Sequence, residues 1–149
     1  MTDLRDFIAA RLDEDEQIAR NASMGFVGGD REVWAYDRQG FAVRATHGRW
    51  NVATRRDDPA DGREIHMTDS YGEHIARQQP IRVLREVAAK RRILERHEPS
   101  QGGGCAGCGV YLGRDDNWHP NVDLEDCEEL RDLASVYADH KDFREEWAA

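Results

Sequence analysis

A chain of 149 residues is long enough to bury a hydrophobic core and favours one domain, or one domain with a small appended module. Its apolar fraction of 39% lies at the low end for a folded protein, and 34% of its residues are charged, with a net charge of -9 that favours solubility and disfavours binding to polyanions. No apolar run approaches the roughly 20 residues of a membrane span, and the acidic N-terminal stretch does not read as a signal peptide, so a cytoplasmic location is expected.

Residues 3–21 have helical periodicity, with Leu4, Phe7, Ile8, Leu12, Ile18 and Ala19 on one face and Thr2 placed to cap it. The acidic run at residues 13–16 reads as a solvated face. After a break at Gly28-Gly29-Asp30, three alternating runs follow: Val33, Trp34 and Tyr36; Phe41, Val43 and Ala45; Trp50, Val52 and Thr54. Turn signals at residues 37–40 and at His47-Gly48 separate them, which predicts a three-stranded antiparallel meander whose aromatic residues serve the core. Residues 55–62, with Pro59 and Gly62, read as an exposed loop, and residues 64–68 as a short edge strand.

Ser70-Tyr71-Gly72-Glu73 has the form of a capping box opening a short helix through residue 79. Pro80, at a first-turn position, restarts the chain as a longer helix over residues 81–97. The apolar stripe of this helix is Val83, Leu84, Val87, Ala88 and Leu94, whereas Arg82, Arg85, Arg92 and Arg96 form a basic ridge on the other side. The ridge reads either as a solvated face or as a docking surface for an acidic partner. Arg91 falls within the apolar stripe and requires a carboxylate or a snorkelling path. A last helix is predicted from residue 123, with Leu124, Cys127, Leu130, Ala134 and Tyr137 on one face; Tyr137, Phe143 and Trp147 supply aromatic area to dock the tail on the body.

One motif carries chemistry. Cys105-Ala106-Gly107-Cys108-Gly109 is a CxxC followed by glycine, in which two thiolates can grip one ion from a tight turn and the glycine permits the φ such a turn needs. Cys127 offers a third thiolate from the first turn of the last helix, where the positive dipole end favours S⁻. Structural zinc is the leading reading. Free thiols with a buried Cys127, and a redox pair, are the alternatives; a redox CxxC would sit between a strand and a helix, whereas this one follows three glycines. The fourth ligand is expected to be a histidine: His97 at the end of the long helix, then His140 after the last helix, then His119 in the loop between knuckle and helix.

Other candidate chemistry is thin. Gly102-Gly103-Gly104 lacks the Lys-Ser/Thr of a phosphate loop. His119 with Asn117, Asn121 and a nearby CxxC is similar to part of a His-Asn-His metal-dependent nuclease pattern, but that pattern carries a second Cys pair where only Cys127 stands. There is neither a nucleophile elbow nor a His-Glu-x-x-His.

Residues 74–97, reading His-Ile-Ala-Arg-Gln-Gln-Pro-Ile-Arg-Val-Leu-Arg-Glu-Val-Ala-Ala-Lys-Arg-Arg-Ile-Leu-Glu-Arg-His, resemble the signature helix of a family of unknown function frequent in actinobacteria and their phages. The N-terminal Leu-Arg-Asp-Phe-Ile-Ala-Ala-Arg-Leu-Asp-Glu-Asp-Glu, the CxxC and the tail Tyr-Ala-Asp-His-Lys-Asp-Phe-Arg-Glu-Glu-Trp also match, although the family's tail usually carries Pro where Lys141 stands. The resemblance leaves out residues 28–70 and implies a His after the long helix, a Cys before the last one, and a phage or prophage origin.

The sequence therefore predicts an α+β fold: an N-terminal helix, a small antiparallel three-stranded sheet, a central helix pair and a zinc-bound C-terminal helical tail. Residues 1–97 are expected to form the body and residues 98–149 the zinc-knuckle module. The expected function is that of a non-enzymatic interaction protein with a structural zinc at Cys105, Cys108, Cys127 and His97, a protein partner, and no membrane or general nucleic-acid binding. A nucleic-acid-associated regulator using the ridge, and a metal-dependent hydrolase, are the rival readings.

Overall fold

A computed structural model of the protein describes residues 3–24, 33–40, 42–45, 51–54, 56–57, 64–65, 69–100 and 104–148. Thr2, the 28–30 break, Phe41, Thr46, His47, Gly48, Trp50, Pro59, Gly62, Gly102 and Gly103 lie outside these residues. The fold class is α+β. Among the described residues, four α-helices accompany a three-stranded antiparallel sheet and two separate strand pairs. No described helix is long and apolar enough to cross a membrane.

The chain falls into two compact units, one of residues 1–14 with 87–149 and the other of residues 15–86. The second contains the meander. Strands β1 (Trp34–Asp37), β2 (Ala42–Ala45) and β3 (Asn51–Thr54) pair in sequence order, with Trp34 opposite Ala45 and Tyr36 opposite Val43. Ala42, Val43 and Ala45 are buried, and the register between β2 and β3 shifts after Val43, leaving Val52 of β3 as the unpaired residue of a bulge. The aromatic residues serve the core less than expected: Trp34 and Tyr36 are only half-buried, and the Tyr36 hydroxyl donates to Asp69 at 3.0 Å. Residues 64–65 do not extend this sheet. They form β5 (Glu64–Ile65), antiparallel to β4 (Arg56–Asp57), which lies within the stretch expected to be only loop.

Helix α2 (Asp69–Arg77) starts too early for the Ser70 capping box, because Ser70 already lies inside the first turn. Glu73 instead reaches across to the Arg38 guanidinium at the β1 turn. Helix α3 (Pro80–Arg96) begins at the proline, whose missing N–H costs nothing there.

The other unit holds the first part, through residue 14, of helix α1 (Leu4–Ser23), which Asp3 caps by accepting the Asp6 N–H at 2.7 Å. Leu4, Phe7, Ile8 and Leu12 are buried together with Val87 and Leu94 of α3, Leu130 and Ala134 of α4 (Glu128–Ser135), and Trp147. Two residues of the expected stripes fail: Ile18 is 67% exposed and Ala88 is exposed. Arg91 finds a carboxylate, Asp13, at 2.6 Å. The tail docks on Phe7, whose ring centroid lies 5.1 Å from Trp147, 6.0 Å from Phe143 and 6.4 Å from Tyr137. Glu125 fastens this junction, accepting the Leu4 amide at 3.1 Å and the Trp147 indole N–H at 2.9 Å.

Candidate metal centre

Three separate pieces of chain bring the four donors together. His97 follows the last turn of α3, its N–H still bonded to the Ile93 carbonyl at 3.1 Å, and Pro99 then bridges back to Cys105. The knuckle forms a 3-10 turn, Ala106–Cys108, anchored by Ala106 N–H to Glu98 O and Cys105 N–H to Val122 O, both 2.9 Å. Gly109 closes it at φ +83°, a conformation in which a side chain is strained. Gly107 answers a different need, since a Cβ there would stand 2.6 Å from His97 Nδ1 and 2.8 Å from Arg96 O. Cys127 does not lie inside the last helix, as its spacing had predicted. A 3-10 turn, Leu124–Asp126, intervenes and Cys127 becomes the residue immediately before α4.

All four ligand atoms lie within 4.8 Å of one another, and His97, Cys105 and Cys127 are buried. His97 Nδ1 is 3.2 Å from Cys105 Sγ, 3.3 Å from Cys127 Sγ and 4.0 Å from Cys108 Sγ, while Cys108 and Cys127 are 3.6 Å apart, sulfur to sulfur. The last distance is far beyond the S–S bond of about 2.05 Å, and all three cysteines are free. It does match a metal. Bonds of about 2.3 Å to sulfur and about 2.0–2.1 Å to nitrogen, set at tetrahedral angles, place sulfurs about 3.8 Å apart and nitrogen about 3.6 Å from each sulfur.

Electrostatics point the same way. Burial, with Cys108 and Cys105 alongside, pushes the Cys127 thiol up to about 12 against the Leu130 amide, and burial raises Cys108 too. A dication at the centre of the cluster would reverse that penalty and hold the sulfurs as thiolates. The donor set, three soft thiolates and one imidazole, fits zinc.

The other candidate histidines are engaged elsewhere. His140 contacts the Arg11 guanidinium and packs edge-on to Phe7 at 5.8 Å. His119 Nε2 is 2.9 Å from Asp115 Oδ1, and its ring stacks on Tyr111 at 5.5 Å. With help from Asn117, His119 holds the Asp115 carboxyl down at about 2. The ridge residues Arg82, Arg85, Arg92 and Arg96 are all exposed on α3, with Arg82 paired to Glu86 at 2.7 Å.

Two features escaped sequence reasoning. Glu129 Oε2 stands 3.5 Å from Cys127 Sγ and 3.9 Å from Cys108 Sγ, its carboxyl held low first by its own backbone N–H and then by the Cys127 thiol. No motif spacing marks it. The second is a hairpin between Cys108 and Cys127, β6 (Val110–Leu112) and β7 (Trp118–Pro120), in what had read as a loop. Val110-Tyr111-Leu112 was its signal, followed by a polar turn in which Asp116 adopts φ 59°.

Compared with known proteins, the chain matches a family of unknown function over residues 1–149, including the 28–70 stretch that the earlier resemblance left out. No curated protein and no solved structure matches it.

Proposed function

The chain belongs to DUF6221, a family of unknown function, and since that membership assigns no chemistry we propose, from the site itself, a non-enzymatic, zinc-stabilised interaction protein. The observation that carries this reading is the closed donor set. Four protein ligand atoms lie within 4.8 Å of one another, enough to supply all four positions of a tetrahedral site, whereas a catalytic zinc keeps a position open for water or substrate. His97, Cys105, Cys108 and Cys127 would hold the ion, and its contribution is folding energy. It would tie together the end of α3, the knuckle and the residue before α4, three segments distant in sequence.

Apparent binding energies of such sites, roughly 10–16 kcal/mol, match or exceed whole-domain stabilities of about 5–15 kcal/mol. Purified, untagged protein is therefore expected to contain one zinc per chain and to lose C-terminal structure on strong chelation, read by metal analysis and circular dichroism. Protein that carries no zinc, or that keeps its structure when stripped, would refute the structural-zinc reading.

The partner in this reading is a protein, and the phage origin implied by the sequence resemblance would make it a host protein. The exposed ridge supports docking of an acidic partner surface through Arg82, Arg85, Arg92 and Arg96. DNA fits less well. Four phosphate contacts imply a log-log salt slope near about -3.6, against the repulsion of a -9 chain. Changing Arg85 and Arg92 together to Glu is expected to abolish capture of the host partner, with no measurable duplex binding by the parent protein at physiological salt. Salt-sensitive duplex binding that the same double change removes would favour the nucleic-acid regulator instead.

A further inference from the structure

The zinc cluster also shapes what stands between its ligands. The β6–β7 hairpin leaves Cys108 and returns toward Cys127, and its base is pinned to the knuckle: the Asn121 side chain donates to Cys108 O at 2.9 Å, and Asn121 N–H to Gly109 O at 3.1 Å. Pairing opposes Val110 to Pro120, Tyr111 to His119 and Leu112 to Trp118. Directly opposed residues share a face and neighbours alternate, so Val110, Leu112 and Trp118 lie on one side, Tyr111 and His119 on the other. Val110 is 47% exposed, Leu112 55% and Trp118 66%.

Single exposed apolar residues are ordinary, but three large ones, each about half exposed or more, on one face of a strand pair are not covered by the described residues. Trp, moreover, is the residue type most enriched among side chains that dominate binding energy.

Charge selects the occupant. Residues 98–149 hold 13 of the chain's 30 acidic residues and only 4 of its 21 basic ones, so the entire excess of -9 falls there and residues 1–97 balance to zero. Three thiolates around a zinc dication add one further negative charge. Two copies meeting through this hairpin would bring two such segments together, and nucleic acid would bring its phosphates against them. A basic protein segment is complementary.

We propose that the Val110–Leu112–Trp118 face of the hairpin is a docking surface for a basic protein segment carrying aliphatic or aromatic anchors. This deepens the reading of the chain as an interaction protein and rests on it. The anchors cover Leu112 and Trp118, while the segment's positive charges complement the net negative charge of residues 98–149; the zinc holds the hairpin for both.

The test pans a library of short random peptides on the full, zinc-loaded chain, on a Trp118→Ser/Leu112→Ser variant and on an Arg85→Glu/Arg92→Glu variant. Each variant is first checked for one zinc per chain and an unchanged melting temperature. Enrichment of basic peptides with apolar anchors, weakened about tenfold or more by the hairpin change and untouched by the ridge change, is the expected result. Peptides lost only with the ridge change would overturn the hairpin inference and leave the interaction reading standing, whereas no enrichment on any chain would count against both. A parent chain that dimerises in sedimentation, and becomes monomeric when Trp118 is changed, would assign the face to a second copy and overturn the proposal. Should the hairpin variant not fold, amide and indole NMR shifts on the parent chain decide: an enriched peptide must perturb Leu112 and the Trp118 indole first.

Discussion

His97, His119 and His140 differ in what their rings meet, and that difference is open to measurement. Nδ1 of His97 faces two buried sulfurs at 3.2 and 3.3 Å, whereas His140 sits with Arg11 and Phe7 and His119 with Asp115 and Tyr111. Removing the imidazole of a four-ligand site is expected to weaken zinc retention by at least about 10-fold, by comparison with outer-shell changes that cost roughly 10–100-fold. A competition titration against a chromogenic chelator should therefore rank His97→Ala well below His119→Ala and His140→Ala. If His140→Ala were the damaging change, His97 would be the wrong fourth ligand although the three cysteines could still hold metal.

At the level of elements, α1 and the C-terminal tail stabilise one another through Phe7. Its ring meets Tyr137, Phe143 and Trp147 and is 2% exposed, and Trp147 is 1% exposed. Truncating a buried aromatic side chain costs about 3–5 kcal/mol, so Phe7→Ala should lower stability by that order in denaturant melts. Ile18→Ala serves as the control from the same helix: with that side chain 67% exposed, the loss should stay within about 0.5 kcal/mol. Equal effects of the two changes would mean that the tail does not pack on α1. Gly107 shows the same dependence at shorter range, because the knuckle can lie on the end of α3 only where no Cβ intervenes.

For the whole molecule, a zinc ion held at this site would link folding to pH. Thiolates bind the ion and thiols do not, so each cysteine ligand must lose its proton. Burial pushes the Cys127 thiol up to about 12 without a metal, so at neutral pH that proton leaves only as zinc enters. Calorimetric titrations in buffers of different ionisation enthalpy should show release of about three protons per zinc at pH 7, with affinity falling as pH falls. Release of about one proton or none would be incompatible with a three-thiolate site. If the C-terminal segment is held by that ion, as proposed, acidification should disorder it before the rest of the chain.

Helix α1, helix α3 and the β1–β3 meander were legible in the sequence because 3.6-residue and two-residue periodicities are local properties of adjacent side chains. The CxxC was legible for the same reason, since two ligands at that spacing define one grip. Local pattern could not tell that Ile18 and Ala88 face solvent, because exposure depends on which neighbour covers a face. The sequence ranked His97 first among three histidines, but only the fold shows which of them reaches the cysteines. That choice rests on Ala106 bonding to Glu98 and Cys105 to Val122, contacts that close only when distant segments fold together. The sequence by itself determined the helices, the meander, three sulfur donors and His97 as the first-ranked fourth ligand; tertiary structure alone decided that His97 and not His140 or His119 meets the sulfurs, that Glu129 stands beside them, and that a hairpin lies between them, because backbone closure and burial are properties of the assembled chain.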